Sequence, residues 1–326
     1  IVCAELGDVK LVIRERLIME RIALAPSHFA TQLRYATVVG SKVYLAMELM
    51  RGGDLFTLLQ NHAITFNGAR FYAAEVLEAL KYLHSLNILY RDLKPENILV
   101  THDGHVRIAD FGLSRFVDGK DTATTLCGTA AYFAPEMLCQ NKGGYSLSVD
   151  YWQFGCFVFE LFVGSSPFYD PDDPSEENMK ANISRGEFEF PQERCSQRWK
   201  KIVCDLLVPE VTNRCGFRPG DEGWSAVAEQ PFFHNVDWSC VRDLSYSPPT
   251  RPLAPGQRYT QNFDALFLQE DPAFLAREQH GEALDPAAFA GFEFRPRRRL
   301  LARAEQLARA AAQRCREEKE EARRRR

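Results

Sequence analysis

The run Tyr90-Arg91-Asp92-Leu93-Lys94-Pro95-Glu96-Asn97-Ile98-Leu99-Val100, answered by Asp110-Phe111-Gly112, restricts what this chain can fold into more than any other stretch. Between the two lie Thr101-His102-Asp103-Gly104 and then Val106 and Ile108 in alternation. An Asp-Gly step flanked by alternating apolar residues signals a β-hairpin. Such a hairpin returns Asn97, on its entry side, toward Asp110, just past its exit. Asp92 precedes Asn97 closely, so three oxygen-bearing side chains are drawn into one small volume. Magnesium takes one or two such oxygens from protein and completes its octahedron with phosphates and waters. Asp92 is left as an acceptor for a hydroxyl proton. The pattern points to phosphoryl transfer.

These residues resemble the catalytic loop of protein kinases, with Tyr in the first position of H-R-D, followed by the D-F-G motif. Tyr-Arg-Asp in this place is similar to the AGC group of serine/threonine kinases, and to its ribosomal S6 kinase branch in particular. The resemblance runs from about Glu20 to Phe294. It implies an α+β, bilobal protein-kinase fold with a truncated small lobe, a mainly helical large lobe and a C-terminal tail. It divides the chain into a partial small lobe (1–48), a large lobe (49–245), an AGC-type tail (246–294) and a basic extension, helical or disordered (295–326).

Composition narrows the class further. A chain of 326 residues can bury a large core. No apolar run approaches the length that spans a bilayer, and residue 1 opens no signal peptide. Nine cysteines stand without any C-x-x-C spacing, so neither a zinc site nor a disulfide framework is indicated. The expected location is therefore a reducing cytoplasm or nucleus. The net charge of −4 hides an asymmetry, because the last thirty-odd residues are strongly basic and the body is correspondingly more acidic. An acidic body fits protein substrates with basic motifs. No specific nucleic acid is expected.

Along the chain, Ile1 to Leu6 reads as the end of a strand. Arg14 to Leu24 reads as a helix with Leu17, Ile18, Arg21 and Leu24 on one face. Leu33 to Ala36 and Lys42 to Leu49 are strand-like. Gly52-Gly53 punctuates strand from helix. Arg70 to Ser85 is a helix whose apolar face is Tyr72, Val76, Leu80 and Leu83. Asp150 to about Val163 is apolar all round and should be the buried spine of the large lobe. Residues 165 to 245 are helical with loops. From Ser247 the chain turns Pro-rich (Pro248, Pro249, Pro252, Pro255) and reads as an extended strap.

The family resemblance assigns roles along this frame. It implies ATP and Mg2+ as cofactors, with Asp92 as general base, Lys94 along the transferring phosphate, and Asn97 and Asp110 as metal ligands. Thr129 would orient the Lys94–Asp92 pair, and Asp150 would tie the loop's backbone. Glu20 falls where the family keeps the glutamate that pairs with the nucleotide-binding lysine. The family's spacing places that lysine at or before residue 1 and the glycine-rich loop further upstream. The expectation is that the chain as given binds ATP poorly and that the full-length parent is the active enzyme. Met47-Glu48-Leu49-Met50 resembles the adenine-binding hinge, with Met47 as gatekeeper. Asp54, Leu99 and Phe263 complete the nucleotide contacts.

Regulation and specificity follow the same resemblance. Thr125 matches the site phosphorylated by an upstream activating kinase, with Arg91 as the phosphate's partner. Arg214 would pair with Glu136 to brace the activation segment. Asp54, Glu96 and Glu160 match acids that receive substrate arginines, which carboxylates bind in bidentate fashion. Phe289, Phe292 and Phe294 resemble the AGC hydrophobic motif, with Glu293 in place of its phosphorylatable residue. A turn-motif Ser or Thr does not stand where expected; Leu275 sits near its place. Gln153, where Ser is usual, is expected to be tolerated. Ala130-Ala131 replaces a Pro-Glu beside the peptide floor. A pseudokinase or scaffold is the competing reading, opposed by the presence of Asp92, Lys94, Asn97 and Asp110 together.

Overall fold

The computed structural model describes residues 6–39, 42–62, 64–117, 122–139, 143–191, 196–252, 259–263 and 289–295. The chain separates into two compact units. One comprises Ile1–His28, Gln32–Glu48 and Gly281–Arg326, and the other comprises Phe29–Thr31 with Leu49–His280.

The smaller unit is built on helix α1 (Leu6–Leu24), which starts a full two turns before the expected Arg14. Leu6 is therefore helical, and the strand read at its N-terminal side falls on residues outside those described. Its buried stripe is Val9, Val12, Ile18, Met19 and Ile22. Leu17 and Leu24, assigned to that face by their spacing, point outward and are among the exposed apolar residues. A helix rotated by one residue satisfies nearly the same periodicity, which is why the stripe was misplaced. Strands β1 (Leu33–Val39) and β2 (Lys42–Met47) pair antiparallel, Val38 opposite Val43, with a register irregularity between Leu33 and Tyr35. From the far end of the chain, Phe294 forms an antiparallel bridge with Ala36, each residue donating to the other's carbonyl. Phe289, Phe292 and Phe294 are buried, and the first two rings meet at 5.4 Å. Burying one such ring contributes about 1.5–3 kcal/mol.

The larger unit opens with α2 (Leu55–Asn61), capped by the Asp54 carboxylate, and α3 (Phe66–Ser85), capped by the Thr65 hydroxyl. Tyr72, Val76, Leu80 and Leu83 on α3 are all buried. Two short antiparallel pairs follow, β3 (Ile88–Leu89) with β6 (Arg115–Phe116), and β4 (Ile98–Val100) with β5 (Val106–Ile108). The second pair is the hairpin read from the Asp-Gly step. Its Gly104 has φ +100°, and a Cβ there would lie 2.1 Å from the Thr250 carbonyl oxygen. Glycine is needed both for the backbone and for the approach of the Pro-rich strap. Pro255, also read into that strap, lies outside the described residues, as does the basic stretch beyond Arg295.

Then come α4 (Pro135–Leu138), α5 (Ser148–Val163), α6 (Glu176–Arg185), α7 (Gln197–Leu206), α8 (Asp221–Ala228) and α9 (Trp238–Arg242). Every residue of α5 from Ser148 to Leu161 is buried. Gly155 lets α7 approach, since a Cβ there would sit 2.8 Å from the Leu207 side chain. Aromatic rings fill the remaining space, Trp152 stacked on Phe168 at 5.4 Å and Phe162 against Trp199 at 4.9 Å. Among the described residues no helix is long and apolar enough to cross a membrane.

Candidate active site

The loop from Tyr90 to Asn97 has almost no ladder of its own, so its backbone bonds go to side chains. Asp150, fully buried on α5, accepts from Tyr90 N (3.0 Å) and Arg91 N (2.9 Å) and pairs with His84 Nε2 at 2.8 Å. Gln153, one turn along α5, accepts from Leu93 N at 3.2 Å and donates to the Arg91 carbonyl at 2.9 Å. Tyr90 Oη donates to the Ala109 carbonyl at 2.6 Å. Arg91 sits at φ +73°. A left-handed non-glycine residue carries roughly 1–3 kcal/mol of strain, sustained only where surrounding bonds over-determine it.

These bonds fix a compact set of reactive groups. Asn97 Nδ2 donates to the Asp92 carbonyl (2.8 Å) and to Asp92 Oδ2 (2.7 Å). Lys94 Nζ donates to Thr129 Oγ1 at 2.8 Å and stands 3.6 Å from Asp92 Oδ2. Thr129 Oγ1 donates to Asp92 Oδ1 at 3.3 Å. The hairpin closes with Ala109 N donating to the Asn97 carbonyl, which brings the next residue, Asp110, beside this cluster. Asp110 is exposed, at φ +51°, and its Oδ1 accepts from Gly112 N at 3.1 Å.

The donor set suits magnesium. With the Asn97 amide nitrogen committed to Asp92, its oxygen is the atom left to face a cation. Asp110 keeps one carboxylate oxygen clear of Gly112. One amide oxygen and one carboxylate, with phosphates and waters supplying the rest, is what Mg2+ takes from protein. Among the described residues no cluster of three His, Cys, Asp or Glu forms a closed metal cage.

The activation segment is organised differently. Thr125 is exposed. Its carbonyl accepts from Tyr145 Oη at 2.5 Å, and Arg91 donates to the Tyr145 hydroxyl oxygen at 3.0 Å and to the Leu113 carbonyl at 2.6 Å. Tyr145 thus stands where the family resemblance puts a phosphate: between Arg91 and the Thr125 segment. Burial pushes its phenol above the ordinary range. Cys127 is a half-buried thiol nearby. Further on, Arg214 binds Glu136 in bidentate fashion at 2.6 and 2.8 Å, with its guanidinium over the Trp152 ring.

The three acids assigned to substrate arginines differ in state. Glu96 is exposed. Asp54 accepts from Thr57 N at 2.7 Å and Thr57 Oγ1 at 2.9 Å as the α2 cap. Glu160 is buried and hydrogen-bonded by the Tyr132 hydroxyl. Burial raises its carboxyl above the usual range, Tyr132 partly offsets this, and Glu96 adds to it.

The remaining positions are equally definite. In the smaller unit Glu20 is half-buried and paired with Arg16 at 2.7 Å. Arg16 also donates to the carbonyls of Phe292 (3.0 Å) and Glu293 (3.2 Å). The Glu293 side chain is exposed. Met47 is 47% exposed, and Glu48 accepts from Gln32 N at 3.2 Å and pairs with Arg34. In the larger unit Met50 is buried, Leu99 bridges Asp54 through the backbone, and Asn262 Nδ2 donates to the Arg51 carbonyl beside the half-buried Phe263. Leu275 lies outside the described residues.

Sequence reasoning did not single out Arg16, His84 or Tyr145, which lie outside the motifs. Gln153, expected from the sequence to be tolerated, is given two bonds to the loop's backbone, and its spacing of one helical turn from Asp150 is a signal for that.

Comparison with protein families matches residues 4–233 to the protein kinase domain, and the chain belongs to that family. It is similar to ribosomal protein S6 kinase 2 alpha of Xenopus laevis, 37% identical over 290 residues, which cover 86% of this chain and 38% of that protein. It is likewise similar to the serine/threonine-protein kinase sck1 of Schizosaccharomyces pombe, 38% identical over 78% of this chain and 36% of the relative. The kinase SCH9 of Saccharomyces cerevisiae is 35% identical over 88% and 35% respectively. The chain thus spans well under half the length of these relatives. Ribosomal S6 kinases are among these relatives, as the Tyr-Arg-Asp signature led one to expect.

Proposed function

We propose that this chain carries the catalytic core for ATP- and Mg-dependent phosphorylation of Ser and Thr in proteins, exercised by the full-length protein. The observation that supports it most is the contact set around Asp92, in which Asn97, Lys94 and Thr129 each touch its carboxylate. Asp92 orients the substrate hydroxyl and accepts its proton, a role worth on the order of 10²–10⁴-fold. Lys94, held by Thr129, offsets charge on the transferring group. Asn97 and Asp110 would hold magnesium, which neutralises phosphate charge when bound. Positioning carries most of the acceleration.

Substrates are proteins with arginine upstream of the acceptor, read by Asp54, Glu96 and Glu160. Thr125 is the site for an upstream activating kinase, and its phosphate would displace Tyr145 from Arg91. The test is turnover in the full-length protein. Asp92→Asn should remove it while leaving Mg-ATP affinity nearly unchanged, and Asp110→Asn should weaken the Mg-dependent part of binding as well. Normal rates in both variants would sink the assignment. On a peptide array, a preference for Pro directly after the acceptor or for upstream acids would contradict the arginine reading.

A further inference from the structure

We propose that Gln153 is a positioning residue for Asp92, its single side-chain amide holding the peptide groups on both sides of that carboxylate. The inference rests on the reading of Asp92 as the general base. Two peptide planes meet at the Asp92 α-carbon. The carbonyl of the first belongs to Arg91 and accepts from Gln153 Nε2 at 2.9 Å; the N–H of the second belongs to Leu93 and donates to Gln153 Oε1 at 3.2 Å. Asp150 grips the preceding groups, the N–H of Tyr90 and of Arg91. Asp150 therefore anchors the loop's entry, and Gln153 fixes the orientation of the residue that does the chemistry.

The geometry needs an amide. Gln153 is fully buried, so each end of its side chain must find a partner in the protein. A carboxylate would present an acceptor to the Arg91 carbonyl, and an apolar chain would leave both peptide groups unpaired. A serine is shorter, with one hydrogen to donate, and cannot reproduce two bonds to peptides on opposite sides of a residue. The strained φ of Arg91 makes the point sharper. A loop held in a left-handed conformation relaxes when its restraints go, and the first residue to turn is Asp92.

The experiment compares Gln153→Met and Gln153→Glu with wild type in the full-length protein, by site-resolved hydrogen exchange and by steady-state kinetics. In Gln153→Met the Leu93 amide should exchange about tenfold faster or more, while the Ala109 amide, which is bonded to Asn97, keeps its protection. The turnover number should fall about tenfold with KM for ATP and peptide within about twofold, since positioning and not binding is lost. Gln153→Glu separates donation from packing. A buried carboxyl is protonated more readily than an exposed one, and once protonated it donates to Arg91 again. Its rate relative to wild type should climb as pH is lowered from about 8 to about 6. Asp92, Asp150, His84 and Tyr90 face the same spot and are common to both proteins, so the ratio isolates position 153. Unchanged Leu93 exchange in Gln153→Met would overturn the clamp. Faster exchange with unchanged turnover would overturn the positioning role. If wild type and Asp92→Asn were equally inert, the functional reading would fall while the exchange data still decided the clamp.

Discussion

The catalytic loop and the activation segment are both extended stretches without regular structure, and both lean on α5, yet they are held in opposite ways. The loop's backbone is pinned by buried side chains, Asp150 and Gln153, neither with any exposure. The activation segment between Thr122 and Tyr132 is anchored at its ends, by the Ala123–Tyr145 backbone bridge and by the bonds of Thr129 and Tyr132, while its middle is tied through the Tyr145 phenol, with Thr125 and Leu126 facing solvent. Rigidity in irregular chain thus comes from where the backbone's hydrogen bonds go.

The largest break in this comparison is Asp150→Ala. It strands two buried backbone N–H groups and His84, and should destabilise the larger unit by about 3–5 kcal/mol in urea unfolding. A loss under about 1 kcal/mol would mean that the loop holds itself. Next is Glu136→Ala, which leaves the fully buried Arg214 guanidinium without its bidentate partner and should cost about 3 kcal/mol. Here the damage should concentrate in the activation segment, seen as faster protease cleavage there with the catalytic loop still protected.

Tyr145→Phe is milder. It removes one hydroxyl shared by Arg91 and Thr125, worth about 1 kcal/mol. Exchange should quicken in the segment around Thr125 and stay slow at Tyr90 and Arg91. Equal loosening of both stretches would erase the distinction drawn above.

The smallest effect concerns Glu160, through which α5 reaches Tyr132. Burial raises its folded pKa above the ordinary 4.5. The stability it contributes is therefore complete below that ordinary value and is lost as pH rises through the raised one. Glu160→Gln cannot ionise, so its stability advantage over wild type should grow from about pH 4.5 to pH 8. A difference independent of pH would show that Glu160 is as comfortable charged as neutral.

Much of this was legible beforehand. The hairpin, the convergence of Asp92, Asn97 and the approach of Asp110, and the buried α5 follow from turn chemistry and periodicity that act locally. The stripe on α1 did not, because the apolar residues of that helix fit two faces and only packing chose between them. Tyr145 was illegible for another reason. A tyrosine after two glycines carries no spacing signal, and its task depends on three segments meeting. Arg16 belongs to the same class: an arginine on a helix reads as a solvated charge until the chain's other end is seen to lie against it.

The bridge between Phe294 and Ala36 has a consequence beyond docking. A two-stranded sheet presents unpaired N–H and C=O groups along its margins, which are templates for joining another chain. Reciprocal bonds at Ala36 occupy part of the β1 margin, and Arg16 fastens the covering residues through their carbonyls, without regard to the side chain at 293. At Ala36 that margin is closed to any other strand, whatever charge stands at position 293.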